Sequence, residues 1–289
     1  MAHDNAFPFE RFGPARPGSP VILAVPHAGR VYPPELIEAA AMPIGRLEGL
    51  EDRFADLLVR DAVAGGATAF VARRARAWID LNRDEREIDP GMVDATPPPW
   101  QIVTSARVRG GLGLIPRRLA GGGEIYRRRL TVAEVTARIA RDHRPWHAAL
   151  ADALTAARAR FGVAVLIDIH SMPPIGRSAE RPPPVIVIGD RYGRSAAARF
   201  VNRIAELAEA NGLSSARNSP YAGGHTLDRH GRPGSGIHAI QIELDRSLYL
   251  ARDMRAIGLG AQRMAAFVAA VATALADMAL LPTPAIAAE

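Results

Sequence analysis

Two histidines stand where apolar runs end. In VILAVPHAGR the run closes on Pro26 and His27, and the Ala-Gly that follows leaves the backbone room to turn. In VAVLIDIHSM the run closes on His170, and the alternation of an extended chain puts Asp168 and His170 on one face with Ile167 and Ile169 on the other. Two imidazoles with an acid nearby can make a zinc site that keeps one coordination position open. Water bound there is acidified toward ~7, and an amide carbonyl is polarised without a covalent nucleophile. The plainer alternative for either histidine alone is a satisfied core or turn residue. Cysteine is absent, so any metal site must use His, Asp and Glu.

Further polar residues interrupt apolar stretches. In WIDLNR, Asp80, Asn82 and Arg83 cluster. A guanidinium fork beside a directional amide can hold a substrate carboxylate, the alternative being a surface ion-pair cluster with the charged RDEREID that follows. In AIQIELDRSLY, Gln241, Glu243 and Asp245 share one face. A carboxylate in the middle of an apolar strand is costly unless paired or functional, which makes Glu243 a candidate general base; pairing with an arginine is the alternative. His143 and His147 have the four-residue spacing of helical metal pairs, but there is no HExxH glutamate and Pro145 lies between them, so His147 reads as pocket support. His225 and His238 flank a glycine-rich loop and read as loop residues. GDRYGRS lacks the lysine and glycine spacing of a phosphate loop, so Asp190 reads as a helix cap or as a residue orienting Arg191.

The elements that must position these residues follow from periodicity. Val/Ile-rich runs alternate with Ala/Leu/Arg stretches of helical period, the pattern of an α/β protein with a mixed, mainly parallel buried sheet flanked by helices. Strands are predicted over 21–26, 68–72, 77–81, 163–169, 185–189 and 237–244. Helices are predicted over 53–64, 132–161 with a break or kink near Pro145, 193–210 and 253–275. Two Pro/Gly-rich stretches, 88–123 and 172–184, read as functional loops. His27, Asn82, Arg83, His170, Asp190 and Glu243 then fall at or near predicted strand ends, where one crevice outside the carboxyl edge of the sheet can collect them.

Composition narrows the function classes. No linker divides the 289 residues, so one domain over 1–289 is expected. The net charge is +6 with a pI near 10.5, yet every basic residue is arginine and the arginines are spread along the chain without interleaved aromatics, which argues against nucleic acid. No unbroken apolar run reaches the ~20 residues of a membrane span, and the first twenty residues lack the pattern of a secretory signal. A cytoplasmic protein acting on a small molecule, without a membrane or nucleic-acid partner, is expected. Oligomeric state is not readable.

The ordered set PHAG (26–29), Asp52, DLNR (80–83), PWH (145–147), DIHSM (168–172), IGDRYG (188–193), PYAGG (220–224) and QIELDRSLY (241–249) resembles the N-formylglutamate amidohydrolase family, related to zinc carboxypeptidases and aspartoacylases. The resemblance spans most of the chain and implies a zinc-carboxypeptidase-like fold. It implies Zn2+, or another divalent metal, on His27 and His170, with Glu243 as catalytic acid/base. In the carboxypeptidases the carboxylate ligand comes three residues after the first histidine, but Arg30 stands there. Asp52 is the substitute, with Glu51 and Asp56 as rivals and a helix N-cap as the alternative role of Asp52. The implied substrate is an N-acyl amino acid, N-formylglutamate first, with its carboxylates on Arg83 and a second arginine, Arg191 or Arg177. Another N-acyl amino acid, a small peptide, or a non-catalytic metal-binding role are the alternatives.

Overall fold

The computed structural model describes residues 7–94, 102–119, 122–176 and 182–281. The strands β1 (Phe9–Phe12), β2 (Val21–Val25), β3 (Thr68–Ala72), β4 (Ala164–Met172), β5 (Ile186–Gly189), β6 (Ser215–Arg217) and β7 (Ile237–Asp245) form one sheet of order β1-β3-β2-β4-β7-β5-β6. The central β3, β2, β4 and β7 run parallel. β1 is antiparallel to β3, and β5, paired in parallel with β6, is antiparallel to β7. The mixed, mainly parallel sheet expected from the apolar runs is therefore present.

Alternation along the central strands divides the core in two. Val21, Leu23, Val165, Ile167, Ile169, Ile240 and Ile242 face a layer holding the helices Ala198–Ala210 and Ala261–Leu280. Ile22, Ala24, Phe70, Ala164, Leu166 and Ala239 face the helix Arg144–Phe161 through Trp146, Leu150 and Leu154. The site residues continue this second face: Asp168 and His170 follow Leu166, and Gln241 and Glu243 follow Ala239. Burying a Leu or Phe side chain contributes ~1.5–3 kcal/mol, so the apolar ends of these strands offset the cost of their polar ends. The helix Ala261–Leu280 is apolar and long enough to cross a membrane, but Met264, Phe267, Val268, Val271 and Leu275 are buried in the core.

Five expectations are corrected. Residues 77–81 form no strand. Trp78, Ile79 and Leu81 are buried, which mimics one, but the backbone is satisfied from elsewhere: Tyr126 donates to the Ala77 carbonyl, Arg138 to that of Trp78 and His147 to that of Leu81, while the Asp80 N–H donates to Leu114. The helix predicted from residue 53 is broken by Phe54, whose φ of 60° is left-handed, and becomes a 3-10 stretch Ala55–Val59 followed by Arg60–Ala64. The helix predicted over 193–210 begins only at Ala198, and the last one runs Ala261–Leu280 rather than 253–275. Asp190 does not join the carboxyl-end crevice, because β5 is antiparallel to β7: Gly189 pairs with Gln241, so the strand leaves toward the opposite edge. The expected kink near Pro145 takes the form of a π-turn, Ile139–His143, which accommodates the missing proline N–H between Val132–Arg138 and Arg144–Phe161.

Candidate active site

The site is assembled where β2, β4 and β7 end. The turn after β2 carries His27, and Gly29 passes so near the Arg74 carbonyl that a Cβ would collide with it. The Asp52 N–H donates to the His27 carbonyl at 2.9 Å, which ties the segment after Leu50 to this turn. His170 lies on β4, in register with Glu243 on β7.

His170 Nδ1 is 3.1 Å from His27 Nδ1 and 3.2 Å from Asp52 Oδ2, and His27 Nδ1 is 3.4 Å from the same oxygen. Each imidazole turns its other nitrogen to a buried carboxylate: His27 Nε2 to Asp80 Oδ1 at 2.7 Å, and His170 Nε2 to Asp168 Oδ2 at 3.0 Å. Asn82 Nδ2 is also 3.1 Å from His170 Nε2, but an amide NH2 can only donate, so the Nε2 proton belongs to Asp168. Carboxylates on both Nε2–H groups leave the two Nδ1 lone pairs, with Asp52 Oδ2, aimed at one point. Tetrahedral bonds of ~2.1 Å place donors ~3.4 Å apart, so this donor set fits one cation with zinc-like geometry, and the carboxylate-backed imidazole is the usual second layer of such sites.

Of the three acids considered for the third donor, Asp52 is the one brought to the imidazoles; its Oδ1 accepts from Ser171 at 3.0 Å and Arg246 at 3.2 Å. Glu51 is held by Tyr32 and Arg53, and Asp56 by Arg30. Asp52 caps no helix, since Phe54 precedes the 3-10 stretch. Burial would raise the Asp52 carboxyl, but hydrogen bonds from His170 and His27 hold it well below its usual range. Burial likewise opposes charge on His170, but Asp168 and Asp52 outweigh it and raise its pKa well above normal.

Glu243 is 8% exposed, and Gln241 donates to its Oε1 at 2.8 Å. Burial pushes its carboxyl up to about 7, with His170 working against the shift and Asp52 adding to it. A carboxyl beside the three donors and poised near neutrality can take up and give back a proton at working pH.

These residues open into a cleft of about 270 Å3 that Arg76, Arg83, Arg107, Arg246 and Tyr221 also line. Burial lowers the Arg83 guanidinium to about 10, still charged at neutral pH, and its N–H groups reach the Leu112 and Asn82 carbonyls. Asn82 Oδ1 accepts from the Thr226 N–H at 2.9 Å, and a Cβ at Gly224 would strike this amide. Arg76 is bound to Asp80 and Arg246 to Asp52, whereas Arg107 has no carboxylate partner among the described residues. Arg191 does not line the cleft. It sits at φ 56° in the turn after β5 and pairs with Asp228 at 2.8 Å, so a part in substrate binding is not supported. Arg177 lies outside the described residues. Asp190 accepts from Asn218 at 2.7 Å, a loop-organising role. Arg76 and Arg107 escape sequence reasoning because arginine is everywhere in this chain, whereas Tyr221 and Arg246 lie inside the PYAGG and QIELDRSLY motifs, which could have drawn attention to them.

A mixed α/β sheet whose parallel strand ends gather two carboxylate-backed imidazoles, a third carboxylate and a near-neutral acid defines a hydrolase with a place for one cation. The comparisons with known proteins make this specific. The chain belongs to the N-formylglutamate amidohydrolase family, whose model matches residues 19–250, and it is an enzyme that hydrolyses an amide bond. It is 30% identical over 242 residues to the N-formylglutamate deformylase of Pseudomonas putida, covering 80% of this chain and 82% of that one. To the deformylase of Pseudomonas aeruginosa it is 27% identical over 235 residues, with the same coverage. The crystal structure of N-formylglutamate amidohydrolase from Ralstonia eutropha JMP134 superposes with a TM-score of 0.87 at 32% identity, covering 95% of this chain and 99% of that one.

Proposed function

We propose that the chain is a zinc-dependent amidohydrolase that cleaves N-formyl-L-glutamate to formate and L-glutamate, and that residues 1–289 form one catalytic domain. The reading rests on the convergence of His27 Nδ1, His170 Nδ1 and Asp52 Oδ2 within 3.4 Å, beside Glu243. Zinc held by these donors would supply a Lewis acid that acidifies water and polarises the formyl carbonyl.

The chain's own residues do the rest. Glu243 takes a proton from the attacking water and returns it to the leaving nitrogen, with Gln241 fixing the carboxylate's angle. Asp80 and Asp168 keep the imidazoles in one tautomer. Asn82 and Arg83 take one substrate carboxylate. Arg107 takes the other: of the cleft arginines it is the one with no carboxylate partner among the described residues, whereas Arg76 and Arg246 are held by Asp80 and Asp52 at 2.8 and 3.2 Å and Arg83 lies a looser 3.6 Å from Asp80. Burial and the nearby Glu243 keep Tyr221 protonated, so it brings an O–H donor into the same cleft. Placement in the cytoplasm and in histidine degradation follows from the family resemblance.

The test is formate release from N-formyl-L-glutamate against N-formyl-L-glutamine, N-acetyl-L-glutamate and N-succinyl-L-glutamate. Formylglutamate should be favoured, and Arg107→Ala should raise KM for it about tenfold, the loss of one charge-assisted pair, while leaving KM for formylglutamine nearly unchanged. Preference for a longer acyl donor would move the assignment to another N-acyl amino acid. Wild-type rates in Glu243→Gln with metal retained would indicate a non-catalytic role for that residue.

A further inference from the structure

Four of the eight histidines take no part in this chemistry and lie together behind the Leu81–Arg83 segment. His143 ends the π-turn, His147 follows on the next helical turn, and His225 and His230 open and close the short helix His225–His230. The His147 ring centroid is 4.5 Å from that of His143, 5.1 Å from that of His225 and 5.2 Å from that of His230.

Their hydrogen bonds fix which nitrogens are lone pairs. His143 Nε2 donates to the Arg83 carbonyl at 2.8 Å and His147 Nε2 to the Leu81 carbonyl at 3.0 Å. Carbonyl oxygens only accept, so both rings carry the proton on Nε2 and present Nδ1 bare. His143, fully buried, has no partner for Nδ1 among the described residues, and neither has His225 Nε2. The other nitrogen of His225 faces Asp84 Oδ2 at 3.8 Å. Buried imidazole nitrogens without a partner are costly, and here two of them belong to one cluster.

We propose that His143, His147 and His225 form a second cation site, for a divalent ion of intermediate softness such as zinc, cobalt or nickel, with His230 at its edge. One donor atom from each of the three lies within 4.8 Å of the others. A tetrahedral ion with ~2.1 Å bonds needs ~3.4 Å between donors, so the site closes by an inward movement of His225, the one ring of the three that is partly exposed. A donor set of imidazoles without a carboxylate suits these ions and not magnesium or calcium. The backbone carbonyls on His143 and His147 are the outer partners that ligating histidines usually have. Burial holds His143 down to about 4 and His230 to about 3, so the rings are neutral at working pH. His230 Nε2, 2.9 Å from His147 Nδ1, gives its proton to that lone pair in the ion-free protein and is displaced by the ion. An ion here grips the carbonyls on either side of Asn82 through His143 and His147, and so stiffens the segment that carries Asn82 and Arg83.

The test is cobalt stoichiometry and visible absorption on the stripped, full-length protein. Wild type should hold one more equivalent than His225→Gln and than His143→Gln, and Asp52→Asn should keep that equivalent together with the absorption of a tetrahedral nitrogen site. His225 is partly exposed at a helix start, so His225→Gln reports even if the buried His143 variant does not fold. Equal stoichiometry in wild type and His225→Gln overturns the proposal.

Discussion

At the scale of single residues the account turns on which nitrogen of each histidine carries its proton. Asp80 and Asp168 decide this for His27 and His170. Asp80→Asn or Asp168→Asn should therefore weaken zinc binding 10–100-fold, measurable by competition with a chromophoric chelator, though neither residue touches the cation. Glu243→Gln keeps the shape of the side chain and removes its proton uptake, so kcat should fall by 10²–10⁴ with metal content unchanged. As the proposed general base Glu243 must be ionised to act, and burial raises its pKa to about 7. The rate should thus fall as pH drops below neutrality; a bound dication nearby moves that limb lower, and Glu243→Gln should flatten it. His27, His170, Asn82, Arg83 and Glu243 were legible because each interrupts an apolar run. Asp52 was not separable from Glu51 and Asp56 in sequence, because the choice depends on the His27 backbone contact and the left-handed Phe54, both tertiary facts.

Among elements, the β2, β4 and β7 runs were legible since burial on both faces leaves no doubt about an apolar stretch. β1 and β6 were not: FERF is mostly exposed, and SAR is a three-residue edge strand with no apolar signature. Residues 77–81 misled for the converse reason, being apolar and buried with the ladder replaced by side chains. Arg138 is the most telling of these. It lies 3.6 Å from the Trp78 ring centroid and donates to the Trp78 carbonyl and the Tyr126 hydroxyl. Arg138→Ala should cost at least about 2 kcal/mol in urea unfolding, from buried groups left unpaired, and should raise KM by loosening Asn82 and Arg83. Phe267→Ala, in the helix on the other face of the sheet, should cost about 3–5 kcal/mol and leave KM unchanged.

At the scale of the whole molecule, one sheet separates an apolar layer from a layer whose far end holds six of the eight histidines: His27 and His170 face the cleft, while His143, His147, His225 and His230 lie behind it. The buried cluster makes the metal-free protein acid-labile. With folded values of about 4 for His143 and about 3 for His230, the unfolded chain binds protons first. Stability is complete above the ordinary histidine value near 6.5 and declines as pH falls toward 4, by up to ~1.4 kcal/mol per pH unit for each such histidine. Thermal unfolding of Glu243→Gln, which removes the opposing contribution of a carboxyl raised to about 7, should show a falling Tm between pH 6.5 and 4.5, and a flat profile would contradict the burial of these rings. The central claim is tested most directly by formate release from N-formyl-L-glutamate before chelation, after it, and after zinc is restored. Activity should vanish on removal of the metal and return with zinc; a metal-free protein that still turns over would contradict the account.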